Sequence, residues 1–158
     1  MTTTISLQSS HFDRLDLTPL TGAIEPWLQA GEATQHEQDL EFAIDFPREP
    51  GDPRELSEIP EVRLWFLRAD GRYPWLPWLL NWENGELTRY TAMLVPHQFN
   101  KTEGIQFNPE ALELFVMGKV FVLADWLTQQ GSFSATKLRF MTQTLGYDLE
   151  EAFFELLK

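Results

Sequence analysis

The chain contains no cysteine, and of its 158 residues only 12 are Lys or Arg and three are His. The first absence removes disulfides, thiolate zinc sites, iron–sulfur ligation and a cysteine nucleophile together. The shortage of bases against 24 Asp and Glu gives a formal charge of −12. Such a surface repels nucleic-acid phosphates and anionic headgroups, since both are bound chiefly through Lys and Arg, so neither nucleic acid nor a membrane is expected as a partner. Long apolar runs are missing too. The greasiest segment, Leu112 to Leu127, is interrupted by Glu113, Lys119 and Asp125 and is too short and too charged to cross a bilayer. The first residues, Met1-Thr-Thr-Thr-Ile-Ser-Leu, lack both the apolar stretch of a signal peptide and the Arg-rich character of a transit peptide. A soluble, cytoplasmic protein is expected.

What the chain does have is apolar mass: 43% hydrophobic residues, including 12 Phe, 6 Trp and 3 Tyr. That is enough to build a core without staples at this length, and one domain over residues 1–158 is expected, with residues 1–37 as its less certain part. Leu40, Phe42, Ile44 and Phe46 alternate with polar or small residues, the period of a half-buried strand. Val62 to Leu67, apolar on both faces, reads as a central strand, Leu87 to Val95 as a third, and Thr3 to Gln8 as a fourth. Beyond residue 108 the signals turn helical. Asn108-Pro109-Glu110 is a cap, a first-turn proline and a first-turn acid, opening a helix that Gly131 closes. Ser134 caps a second helix ending at Gly146, and Asp148 with Glu151 reads as a capping box for a third, carrying Leu149, Ala152, Phe153, Leu156 and Leu157. Thr18-Pro19 opens a short helix that Pro26 should interrupt. Strands followed by helices predict an α+β fold, an antiparallel sheet of three to four strands covered by C-terminal helices.

Two connections are longer than hairpins need. Pro47 to Pro60 carries four prolines and is stiff; its charged residues Arg48, Glu49, Asp52, Arg54 and Glu55 make a candidate partner-binding edge. Between Glu25 and Glu61 there are eleven acids and two bases, a net of −9; this is either a solvated face or a docking surface for a basic partner, where complementary charge speeds association. The second connection, Asp70 to Glu86, holds Tyr73, Trp75, Trp78 and Trp82. The three Trp share one face if a short helix forms. They either pack as core or, exposed, anchor a partner, with Tyr73, Trp75 and Trp78 as the candidates.

Lys119 falls in the middle of the apolar stripe of the long helix, where an ammonium must be paired or neutralised. A structural ion pair with an acid from the sheet or loops is expected; a site lysine is the alternative. His11, His36 and His97 are far apart, and no H-E-x-x-H, G-x-G-x-x-G, G-K-[ST] or G-x-S-x-G occurs, so no catalytic set, metal site or cofactor is expected. The competing reading is a small enzyme or metabolite-binding domain with a polar site around His97 and Lys119, His97 being the best acid–base candidate.

Five blocks carry a resemblance: FPREPGDPRELSEIPEVRLWF (46–66), RYPWLPWLL (72–80), AMLVPHQF (92–99), EGIQFNPEAL (103–112) and LGYDLEEAFFELL (145–157). Together, over roughly residues 38–158, they resemble the chlororespiratory reduction 6 family of cyanobacteria and chloroplasts. The resemblance implies an assembly factor, or chaperone, for the photosynthetic NAD(P)H dehydrogenase-like complex. It further implies action on the ferredoxin-like subunit I before that subunit joins the hydrophilic arm, and a cyanobacterial cytoplasmic member. It brings no catalytic residues.

Overall fold

Ile5 and Leu7 are buried while Thr4 and Ser6 are exposed, so Thr3–Gln8 forms the expected strand, β1, with one face on the core. The computed structural model describes residues 2–158. In it β1 pairs with Leu40–Asp45 (β2), and the pairing is parallel, with Ile5 opposite Phe42 and Leu7 opposite Ile44. Parallel neighbours require a crossover, which Ser9–Asp13 (α1), Thr18–Gln29 (α2) and the 3-10 turn Ala33–His36 supply. Contrary to expectation, α2 runs through Pro26. The proline lies in the last turn, and the carbonyl it frees belongs to Gly22, which is exposed to water.

Two of the expected strands are helices. Pro60–Arg72 (α3) buries Val62, Trp65, Phe66 and Ala69 and leaves Leu64 and Leu67 half in water; burial at i, i+3, i+4 and i+7 is the helical period. Glu86–Leu94 (α4) starts behind Gly85, whose φ of 78° suits glycine, and buries Leu87, Tyr90, Thr91 and Met93. The antiparallel sheet of three to four strands is therefore replaced by two sheets of two strands each. One is the parallel β1–β2 pair; the other is an antiparallel hairpin of His97–Asn100 (β3) and Gly104–Phe107 (β4). The class, a single α+β domain, holds at 55% helix and 13% strand.

At the C-terminal end the local signals are met. Pro109–Gln130 (α5) is capped by Asn108, whose Oδ1 accepts from the Ala111 N–H at 3.0 Å, and ends at Gly131 with φ 72°. Ala135–Thr144 (α6) is capped by Ser134. Glu151–Glu155 (α7) departs from expectation. Glu150 stands at its N-cap position without a side-chain capping bond, and Asp148 is engaged by Arg139 and Gln143, 3.0–3.1 Å away. Its core residue is Phe154, with Ala152 and Leu156 outside.

The centre of the core is Trp65 on α3. Phe12, Phe42 and Phe66 meet its ring edge-on at 5.8, 6.0 and 4.9 Å between centroids, the geometry that aromatic quadrupoles favour. Its Nε1 donates to the Asp16 carbonyl at 2.7 Å. α3 thus joins α1, β2 and α4.

Candidate functional site

The Pro-rich link before α3 is held by its own charges. Asp52 accepts from the Arg54 guanidinium in three contacts of 2.9–3.2 Å, Nε being shared between its two oxygens, and from the Arg54 backbone N–H at 3.0 Å. These bonds pull the Asp52 carboxyl down to about 2. Arg48 donates to the Arg54 carbonyl, Gly51 turns at φ 87°, and Glu55 and Glu58 cap the 3-10 turn Leu56–Glu58 reciprocally. Both arginines are thereby spent inside the loop. Glu49 and Glu61 stay exposed, with no ion pair to another described residue.

Beside this loop lies a groove of about 440 Å³, within the range of small-ligand and anchor pockets. Leu56 from the 3-10 turn, Ala92 and Met93 from α4, and Phe99 and Ile105 from the hairpin make it predominantly apolar; Glu55, Ser57, Thr88 and Arg89 are its charged and polar members. Arg89 is already engaged, donating to the Phe42 carbonyl at 3.0 Å and to Glu86 at 3.3 Å.

His97 fastens loop to hairpin. Its Nδ1 lies 2.9 Å from the Val95 carbonyl, which fixes the proton there, and Nε2 then accepts from the Ser57 hydroxyl at 3.0 Å. Arg63 of α3 donates to the carbonyls of Ser57 and Ala92 at 2.9 and 3.2 Å. A Ser–His contact is the start of a nucleophilic pair; here the serine is 6% exposed, and the groups at Nδ1 are the Val95 carbonyl at 2.9 Å and the Arg63 guanidinium at 3.4 Å, where such a pair has a carboxylate. The contact works as a pin.

Lys119 is 7% exposed and paired, as its place in the stripe demands. Nζ meets Asp70 Oδ1 at 2.6 Å and the Pro74 carbonyl at 2.9 Å, and the Tyr90 hydroxyl donates to the same Oδ1 at 2.6 Å. Burial, then the Asp70 charge, pushes the Tyr90 hydroxyl well above its ordinary pKa, so it remains a donor. His97 and Lys119 do not share a pocket. Their partners Arg63 and Asp70 are seven residues apart on α3, roughly 10 Å along the axis, and the polar site built on both is not formed.

The Trp-bearing connection is core as well. The short helix expected there is the 3-10 turn Leu76–Leu79. Trp78 is 1% exposed and Tyr73 is buried, so neither is an exposed anchor. Trp75 is half-buried, stacked on Trp126 with centroids 4.6 Å apart and planes 4° from parallel. The Tyr73 hydroxyl donates to Glu25 at 2.6 Å, and burial followed by that carboxylate raises it to about 12. The remaining histidines stand apart. His11 accepts from the Gln8 N–H at 2.9 Å, and His36 stacks on Trp27 at 3.8 Å. Among the described residues no group of three His, Asp or Glu side chains could hold a metal, and no helix is long and apolar enough to cross a membrane.

The Pro-rich loop and the groove thus form one exposed feature of the surface. A family model for chlororespiratory reduction 6 matches residues 7–156. The chain belongs to the chlororespiratory reduction 6 family. The match takes in most of the N-terminal third, which the resemblance over 38–158 had left out, in keeping with β1 pairing along β2. No solved structure matches the chain. Membership places it among assembly factors of the photosynthetic NAD(P)H dehydrogenase-like complex. Sequence reasoning had singled out the acidic loop but missed the groove residues Met93, Phe99 and Ile105, and the pin through Ser57 and Arg63. The one available signal was Asn100-Lys101-Thr102-Glu103-Gly104, a turn between two short apolar stretches.

Proposed function

We propose that this member acts as a soluble, cytoplasmic chaperone that binds subunit I of the dehydrogenase-like complex before the subunit joins the hydrophilic arm, and that it does so with the Pro-rich loop and adjoining groove. The observation carrying this reading is the juxtaposition of an apolar groove with a stiff loop whose bases are internally engaged and whose Glu49, Glu55 and Glu58 are exposed. Such a surface suits a client segment with an apolar anchor flanked by Lys or Arg. The groove supplies residence time and the acids supply encounter rate. Glu49 and Glu55, with Asp52 and Arg54 fixing the loop's shape, are the residues of the earlier set that remain in this role; Arg48 supports them from within.

The test is binding kinetics with purified subunit I. Glu49→Lys with Glu61→Lys is expected to slow association about tenfold or more at low salt, and salt is expected to slow the wild type, because exposed charges are screened over about 8–10 Å. Phe99→Ala, in the groove, is expected to speed dissociation with little change in association. Failure to recover any dehydrogenase subunit with the wild-type chain at any salt concentration would remove subunit I as the client. Kinetics unmoved by both variants would remove this surface.

A further inference from the structure

The longest helix presents apolar side chains to water. Taken at about 100° per residue, the side of α5 turned away from the core carries Glu110, Leu114, Gly118, Phe121 and Asp125. Leu114 is 76% exposed and Phe121 53%. A two-turn apolar seam on the outside of a helix is expected where something covers it.

Gly118 adds a second observation. It lies mid-helix with ordinary helical backbone, and a Cβ placed on it meets nothing within 4 Å. No contact inside the fold requires glycine, although glycine weakens a helix at that position. What it does provide is a notch between Leu114 and Phe121 where a second backbone can approach closely. Beside Phe121 the seam continues into a depression of about 280 Å³ that Asp125, Thr128 and the chain end, Leu157 and Lys158, also line.

Charge identifies the occupant. The exposed charges of α5 are Glu110, Glu113 and Asp125; its one base, Lys119, is buried against Asp70, and Lys158 nearby is paired with Glu155 at 3.2 Å. Two copies packed through this seam would set acids against acids, and the net charge of −12 adds to the repulsion. An anionic membrane is disfavoured for the same reason.

We propose that the outer face of α5 docks an amphipathic helix of a protein partner, whose apolar seam packs on Leu114 and Phe121 across Gly118 and whose Lys or Arg residues meet Glu110, Glu113 and Asp125. The missing side chain at Gly118 lets the axes approach the short end of the usual 8–10 Å or so. This surface stands apart from the loop and groove and does not rest on the assembly reading.

The experiment uses the full chain and two synthetic amphipathic peptides of about 18 residues, long enough to be helical. One has Leu and Lys faces and the other Leu and Glu faces; binding is read by fluorescence anisotropy. The Leu/Lys peptide is expected to bind the wild type, the Leu/Glu peptide about tenfold more weakly or worse. Gly118→Trp and Phe121→Asp should each weaken Leu/Lys binding about tenfold or more, a hot-spot loss. Gly118 faces open space and Phe121 is half in water, so unchanged circular dichroism is expected; Leu114→Asp replaces either variant that fails to fold. Glu49→Lys with Glu61→Lys should leave this binding within about twofold. Equal binding of both peptides, loss through the loop variant instead of the α5 variants, or sedimentation showing that the chain self-associates through Phe121 would each overturn the proposal.

Discussion

Asp70, Tyr90 and Lys119 form the node on which α3, α4 and α5 are tied, and its two charges are unequally buried. The Lys119 side chain is 9% exposed and the Asp70 side chain 23%. Asp70→Ala strands the ammonium with only the Pro74 carbonyl, and removing one partner of a buried pair costs about 3–5 kcal/mol. Lys119→Met leaves a carboxylate that still accepts from Tyr90 and can draw on water, so the loss should be nearer the value of a charged hydrogen bond, about 1.5–3 kcal/mol. For a domain of this size 1 kcal/mol moves the thermal midpoint by about 2–4 °C, so Asp70→Ala should lower it by about 6–20 °C and Lys119→Met by roughly half as much. Asp70→Leu combined with Lys119→Met removes both charges and should recover part of the loss, because well-packed apolar replacements of a buried pair are often neutral while the buried Tyr90 hydroxyl still loses its acceptor. Urea denaturation of the wild type, Asp70→Leu, Lys119→Met and their double variant, with unchanged slopes, measures this cycle, and Asp70→Ala is read beside it. An unaltered midpoint for Asp70→Ala, or a double variant as unstable as the sum of the singles, would refute the account and mean that the ammonium reaches water.

Three further perturbations test other parts of the account. Glu86 is buried, and its burial outweighs the attraction of Arg89, so its carboxyl titrates above the ordinary value. A carboxyl raised on folding contributes stability that is complete below the unfolded pKa of about 4.3 and is lost as pH rises through the folded value; Glu86→Gln should therefore stabilise the protein more at pH 7 than at pH 4, and a denaturation midpoint difference independent of pH would contradict it. Trp78→Ala opens a core cavity and should cost about 3–5 kcal/mol, whereas Trp75→Ala, losing one half-exposed stack on Trp126, should cost about 1–2 kcal/mol; equal thermal shifts would show that Trp75 is core as well. Gly118→Ala should raise stability by about 0.5–1 kcal/mol, and a destabilised variant would show that the helix needs glycine there.

What the sequence disclosed was local, and what it concealed was pairing. Asn108, Ser134 and Gly131 announce their helix ends because a cap is decided within four residues. Lys119 announced its burial because one charge in an apolar stripe has few physical solutions. Its partner Asp70 lies 49 residues away and comes within reach only once residues 60–72 are helical, so misreading that segment hid the pair. The misreading has a definite cause. Val62 to Leu67 is apolar at five of six positions, and a run so nearly continuous has no period to read. The better evidence was Pro60-Glu61, the same first-turn proline and acid that correctly opened α5 at Pro109-Glu110, and Gly85-Glu86 before α4 offered another helix start.

The same logic divides the candidate site. The acidic loop was legible because composition alone makes it stiff and charged. The groove was not, because it exists only between α4, taken for a strand, and a hairpin that the alternation over four-residue strands is too short to reveal. The Trp-rich connection shows the reverse failure: spacing placed three aromatic residues on one face, but whether that face meets water depends on what α5 brings to it, and α5 brings Trp126. A stack between residues 51 positions apart, Trp75 and Trp126, is not written in the spacing of the loop itself. Tyr73 is likewise buried with its hydroxyl on Glu25, 48 residues earlier, and Trp78 with its ring on Trp82 and its Nε1 donating to Glu37.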